Sequence, residues 1–281
     1  MPLDVMAVVL FAALLHAGWN ALVRSSQDTF ADTAFMVGGA ALWAACLLPL
    51  LPMPAPASWP WLGASALIHV VYFSLVALAY RGGELGLAYP LMRGSAPLLT
   101  ALAATQLLGE RLSPGAWTGI VLIGGGILLL AGDARRRGHL HLGSAALALA
   151  NGAVIACYTL IDGRGARLSG SAFGYTAWML LLSGLLMLLL FCLRRGRPEL
   201  ARLRGSGRRA MIGGAGTLAS YTLVLWAMTR APIALVAALR ETSVVFALLI
   251  AAGVLKETVS RLRLAAIVVV GAGAIALRLL Q

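Results

Sequence analysis

The chain has 281 residues, 60% of them apolar and 11% charged, with a mean hydropathy of +0.90; so apolar a composition excludes a water-soluble globular domain. Twenty-two basic residues against ten acidic ones give a formal charge of +12, and Lys256 is the single lysine. The arginines sit in short gaps between long apolar runs, which fits loops at a membrane surface and excludes the basic soluble face that nucleic acid requires.

A membrane-spanning helix needs about 20 mainly apolar residues. Runs of that kind are expected at 3–24, 31–51, 60–80, 86–107 and 113–131, then at 142–161, 171–193, 210–229, 232–252 and 261–279. The runs are continuous rather than alternating, so they read as helices and not as barrel strands. The first run has neither a basic leader region nor a small-residue cleavage site, and it reads as a retained helix. The fold expected is an all-α integral membrane protein of ten transmembrane helices. Cys46, Cys157 and Cys192 each lie inside an apolar run and read as packing residues. His139 and His141 alternate in a loop beside Arg135–Arg137, too few ligands for a metal, and no cofactor is expected. The arginine-rich stretch from Arg194 to Arg209 reads as a loop lying against anionic lipid.

The gaps after runs 1, 3, 5, 7 and 9 hold 15 basic residues and the opposite face holds 5. The positive-inside rule then places the richer face in the cytoplasm and both termini outside it.

Internal spacings repeat. Tyr72 and Arg81 stand nine apart, as do Tyr221 and Arg230; Arg93 and Glu110 stand seventeen apart, as do Arg240 and Glu257. Fourteen residues beyond each glutamate come Gly124-Gly125-Gly126 and Gly271-Ala272-Gly273. These glycines lack the strand context of a nucleotide-binding loop and read as close helix contacts. Two copies are expected, 1–132 and 142–281, joined by a loop at 133–141. Five spans per copy is an odd number, so the second copy is inverted relative to the first, an architecture common in secondary transporters.

The segment Pro97–Leu130, with Gly109-Glu110-Arg111-Leu112 between two apolar runs and glycines after it, resembles the EamA-type ten-helix members of the drug/metabolite transporter superfamily. His16-Ala17-Gly18-Trp19-Asn20 and Arg93-Gly94-Ser95-Ala96-Pro97 are similar to one branch of it. Lys256-Glu257-Thr258 departs from a second Gly-Glu-Arg. The resemblance implies a basket of ten helices in the bacterial inner membrane, moving small amphipathic metabolites such as amino acids, most often outward. Members are commonly drawn with both termini in the cytoplasm, opposite to the charge bias here.

Arg93 and Arg240 lie seven to eight residues into their runs, roughly 10 to 12 Å below opposite surfaces at 1.5 Å per residue. Neither tolerates lipid, so each needs an acid or a wet cavity, and together they suit a carboxylate or phosphate. The alternative is that Arg240 pairs with Glu241 and merely ties helices together. Trp19, Asn20, His69, Tyr72, Tyr158, Tyr221 and Trp226 supply polar-edged walls for a cavity, though each also reads as packing or interface belt. Pro90 and Pro97 remove backbone hydrogen bonds on either side of Arg93, so this helix is expected to bend there and to gate.

Glu241 reads as the only carboxylate well inside a run, with Glu84, Glu110, Asp162 and Glu257 at ends. Small multidrug resistance proteins, distant relatives in the same superfamily, carry a coupling carboxylate on helix 1, where this chain has His16. His16 and Glu241 are therefore the coupling candidates.

The sequence points to a secondary transporter of small zwitterionic or anionic metabolites working by alternating access, with lipid as its other partner and the oligomeric state open. A lipophilic-cation efflux pump is the alternative. A membrane-embedded enzyme finds no catalytic constellation in the sequence, neither HExxH nor GxSxG nor paired intramembrane aspartates.

Overall fold

The computed structural model describes residues 1–23, 28–80, 85–135, 142–196, 203–253 and 260–280. Among them all regular structure is helical: α1 (Leu3–Val23), α2 (Thr29–Leu47), α3 (Trp59–Tyr80), α4 (Leu85–Leu107), α5 (Pro114–Arg135), α6 (Leu142–Leu168), α7 (Ala172–Arg195), α8 (Leu203–Met228), α9 (Ile233–Arg240), α10 (Ser243–Gly253) and α11 (Arg261–Leu279). Short 3-10 turns at Leu48–Leu50 and Pro56–Ser58 link α2 to α3. Eight stretches among the described residues are long and apolar enough to cross a membrane, with α9 and α10 counted together as Ile233–Gly253.

Helix starts follow local chemistry. Ser113 and Ser171 accept hydrogen bonds from the backbone N–H groups of Ala116 and Gly174, as an N-cap must, and Ser260 does the same for Arg263 N–H. Gly109 and Gly170 take left-handed φ of 66° and 71° beyond the ends of α4 and α6, where a side chain would be strained.

Helix α5 packs along α11, α2 lies against α7 and α8, α4 lies between α5 and α6, and α1 crosses α8, α9 and α10. The tightest crossings use glycine. A Cβ on Gly273 would stand 2.9 Å from the Gly119 carbonyl oxygen, and one on Gly119 would stand 2.9 Å from that of Gly273. Gly94 and Gly124 meet in the same reciprocal way between α4 and α5, and Gly126 lies against Val270, whereas Gly125 and Gly271, also expected to allow close contact, have no neighbour within 4 Å of such a Cβ. Phe11, Leu42, Leu67, Leu102, Val121, Leu185 and Val268 point outward, the apolar surface of an integral membrane protein.

At one end of the bundle the connections are laced together. Ala55 N–H donates to the Ser169 carbonyl at 2.9 Å and the Ser113 hydroxyl to the Leu280 carbonyl at 3.3 Å. Glu110 accepts the first two backbone N–H groups of α9, from Ile233 at 2.7 Å and Ala234 at 3.2 Å. Arg167 holds that carboxylate at 3.1 Å while donating to the carbonyls of Met228 and Ala231, each at 2.8 Å. A carboxylate at a helix N-terminus satisfies orphan donors and complements the helix dipole.

Three expectations are corrected. Helix α6 continues to Leu168 instead of stopping near 161, because Asp162 and Arg167 find partners inside the protein or at its edge rather than ending the helix, and Arg164 is exposed. Helix α8 starts at Leu203, so Arg208 and Arg209 belong to its first turns. The ninth run is two helices, broken at Glu241–Thr242.

Candidate functional site

Arg93 comes from the middle of α4 and Arg240 from the last turn of α9, and the two meet at Glu241, the residue that ends α9. Arg93 Nε lies 2.7 Å from Glu241 Oε2 and Arg240 Nη2 lies 3.6 Å from Oε1. The first contact is an ion pair without an aligned hydrogen bond, since neither Arg93 Nε nor Glu241 Oε2 finds a properly directed partner. Arg93 Nη2 also donates to the Ser243 hydroxyl at 3.0 Å, at the start of α10. All three charged side chains are buried: Arg93 is 4% exposed, Arg240 6% and Glu241 1%. One carboxylate therefore faces two guanidiniums, and Arg240 Nε is left without a hydrogen-bond acceptor.

The break in the ninth run follows from this arrangement. Thr242 turns its hydroxyl onto the Leu239 carbonyl at 2.7 Å, and the backbone bonds of Glu241, Thr242 and Val244 close onto the third residue before each. Side-chain hydroxyls that take a helix carbonyl compete with the regular ladder. Helix α4 behaves otherwise: it stays helical through Pro90 and Pro97, both buried, so the bend and gate expected there have no helix interruption behind them. Flanking hydroxyls keep neighbouring carbonyls partnered, with Ser95 bonding Leu91 O at 2.7 Å and Thr100 bonding Ala96 O at 2.8 Å.

A second polar cluster lies beside the first. Asp162 was expected at a helix end; it is 0% exposed within α6. Its Oδ1 accepts from the Tyr175 hydroxyl at 3.3 Å, its Oδ2 accepts a short hydrogen bond from the Tyr221 hydroxyl, and His69 Nε2 stands 3.9 Å from Oδ2. Tyr158 joins the clusters. Its ring centroid is 4.5 Å from that of His69 and 5.4 Å from that of Tyr72, and the Arg240 guanidinium lies 6.0 Å from its centroid.

The expected wall residues thus divide. His69, Tyr72, Tyr158 and Tyr221 come together around the arginines and Asp162. Trp226 does not: it lies near the far end of α8 with Arg230 stacked 4.6 Å above its ring. His16 on α1 stands within electrostatic reach of both Arg93 and Arg240. The side chains of Trp19 and Asn20 lie outside the described residues, as do Arg81, His139, His141, Lys256 and Glu257.

Several polar groups at the site went unnoticed in the sequence. Tyr175 has no pattern of its own and is recognised only by what it bonds. Asn151 on α6 is fully buried, donating to Met92 Sδ at 3.3 Å while its carbonyl oxygen lacks a partner. An asparagine inside an apolar run is expensive to insert and was a usable signal for a site residue.

Comparison with known proteins places these features in a family. The model of the EamA-like transporter family matches residues 4–132 and again 143–279. An uncharacterized protein of Pseudomonas aeruginosa is 37% identical over 166 residues, covering 56% of this chain and 55% of its own length. A protein of the same organism named as a multidrug transporter is 35% identical over 71 residues, covering 25% of this chain and 64% of its own. The matches thus span less than two thirds of either relative. A solved crystal structure superposes over 100% of this chain and 98% of its own, with a TM-score of 0.73 and 25% sequence identity.

Proposed function

Because the chain belongs to the EamA-like transporter family, and is therefore a membrane transporter and not an enzyme, we propose that it moves small anionic or zwitterionic metabolites, amino acids among them, by alternating access. The carrying observation is the pairing at its centre: Arg93 and Arg240 share Glu241 alone, and the next acid, Asp162, is engaged by tyrosine hydroxyls in the adjoining cluster. A substrate carboxylate gives the two guanidiniums a second acceptor, and a guanidinium fork matches its two oxygens. Tyr72 and Tyr158 give the apolar part of an amphipathic substrate its wall. Glu241 in this reading is a counter-ion rather than the coupling acid.

The ten-span, twofold-inverted architecture is part of the same proposal. It is supported by the family model matching twice, and by contacts that exchange between the copies: α3 with α6 and α4 with α6 in one sense, α8 with α1 and α9–α10 with α1 in the other. Transport is outward or by exchange, across the bacterial inner membrane, with both termini periplasmic on the charge bias. An alkaline phosphatase fused to the C-terminus is then active, and a green fluorescent fusion dark.

One relative is named as a multidrug transporter, and efflux of lipophilic cations is the second reading. Two buried guanidiniums around one acid oppose it, since like charges held out of water repel strongly.

The test is counterflow of labelled amino acids, organic acids and dye cations in liposomes bearing the purified chain. Arg93→Gln removes a charge-assisted contact of about 1.5–3 kcal/mol, so half-saturation for a carboxylate rises roughly tenfold to a hundredfold. Undiminished carboxylate transport with both arginines replaced by Gln overturns the proposal, and preference for the dye cations establishes the second reading.

A further inference from the structure

We propose that Asp162 and His69 form a proton-binding pair inside the bundle, linked to the arginine site through Tyr158. The inference rests on the transport reading above for its coupling, and on the geometry of the pair for the site itself.

His69 Nδ1 lies 2.9 Å from the Ser65 carbonyl oxygen, which only accepts, and 3.2 Å from the Ser65 hydroxyl, which can accept or donate; the shorter contact assigns the hydrogen to Nδ1, with the hydroxyl as a second acceptor. In the neutral imidazole Nε2 is then a bare lone pair, and it faces Asp162 Oδ2 across 3.9 Å. An ionised carboxylate and a lone pair in that position repel. One proton, on Nε2 or on Oδ2, turns the contact into an attraction, either as an imidazolium beside a carboxylate or as a carboxylic acid directed at an imidazole.

The surroundings make the proton matter. Asp162 is fully buried, and among the described residues His69 is the one basic side chain within 4.0 Å of it. The groups that face it from the packed elements are the Tyr175 hydroxyl from α7, the Tyr221 hydroxyl from α8, His69 with Tyr72 from α3, and Tyr158 from its own helix. Arg240 from α9 and Arg93 from α4 lie beyond those tyrosines. With both histidines neutral, Arg93, Arg240, Glu241 and Asp162 sum to zero. A bound anion alone makes the buried centre negative, a bound proton alone makes it positive, and the two together restore neutrality. In a poorly screened interior the neutral combination is favoured, so proton and anionic substrate occupy the same state and cross together. Tyr158, its ring packed 4.5 Å from that of His69 and 6.0 Å from the Arg240 guanidinium, is the contact through which one site senses the other.

The site is tested by infrared difference spectra between two pH values on the full chain in liposomes, with ring-labelled histidine to mark imidazole bands. Wild type is expected to give a pH-dependent carboxyl or imidazole band that both Asp162→Asn and His69→Gln remove, while Asp162→Glu, which keeps the carboxyl, retains it. No pH-dependent band in wild type, or the same band in both removing variants, overturns the site. The coupling is tested by carboxylate accumulation in the same liposomes under a one-unit pH gradient. One proton per substrate drives up to about tenfold accumulation in wild type, and Asp162→Asn brings the gradient's effect to nil. Exchange by wild type at equal pH that ignores the gradient overturns the coupling. No exchange of any carboxylate by wild type counts instead against the transport reading, and the infrared band still decides the proton site.

Discussion

Two segments bring an arginine into the centre of the bundle, and they do so with opposite backbones. Helix α4 contains two prolines and runs unbroken from Leu85 to Leu107; the segment from Ile233 to Gly253 contains none and is interrupted directly after Arg240. Proline is the residue expected to break a helix, so the difference shows that neighbouring side chains decide. In α4, Ser95 and Thr100 bond carbonyls one turn back without displacing the ladder, and α5 and α6 clasp the helix on two sides. After Arg240, Glu241 is held by two arginines and Thr242 bonds Leu239 O, so the backbone turns to suit its side chains. The arginine on the unbroken helix makes the closer contact with Glu241, at 2.7 Å against 3.6 Å.

The largest effect expected on this comparison comes from Glu241→Gln, which leaves both guanidiniums buried without a counter-charge and costs about 3–5 kcal/mol. Thermal unfolding in detergent reads it, and adding Arg240→Gln to the same chain recovers part of the loss. Next comes Glu110→Gln. Because Glu110 ties α9 by its first two N–H groups and by Arg167, losing the charge costs about 1.5–3 kcal/mol. Amide exchange should then quicken at Ile233 and Ala234 before it changes in α4. Thr242→Val frees the Leu239 carbonyl for the regular ladder and changes stability by only about 1 kcal/mol; slower exchange around 241–243 would show α9 and α10 merging, and unchanged exchange would assign the break to Glu241 alone. Smallest is Pro97→Ala, within about 1 kcal/mol, since the helix is already continuous and the new N–H gains only the Arg93 carbonyl. A large loss of transport from that variant, with folding intact, would return the gate to α4.

Hydropathy and residue spacing made much of this fold legible, because insertion in lipid forces long apolar helices and leaves charges conspicuous. Arg93 and Arg240 stood out for that reason, and both meet Glu241. Of the glycines read as contacts, Gly124, Gly126 and Gly273 make them, while Gly125 and Gly271 do not, because spacing along a helix does not say which of its faces meets a neighbour. Asp162 was misread because a window that stops at a charge cannot see the two tyrosines and the histidine that let α6 continue through it. The break at Glu241–Thr242 was illegible for a related reason: it depends on what Glu241 binds, and half of that comes from α4, 148 residues earlier in the chain. Trp226 was grouped with the wall residues by type, yet its ring serves Arg230.

That distance in sequence between Arg93 and Glu241 also bears on how the protein is made. A ribosome delivers Arg93 to the membrane long before it has synthesised Glu241 and Ser243, its two partners. During that interval α4 holds a cation in the bilayer at a cost of about 2.5–3.5 kcal/mol on insertion scales. The nascent N-terminal helices must therefore linger at a shielded or hydrated place, such as the insertion machinery or the lipid headgroups, until the ninth segment arrives. A chain stopped before residue 241 is expected to be a substrate for membrane quality control, whereas one cut between α5 and α6 and supplied as two pieces can still be rescued by their meeting.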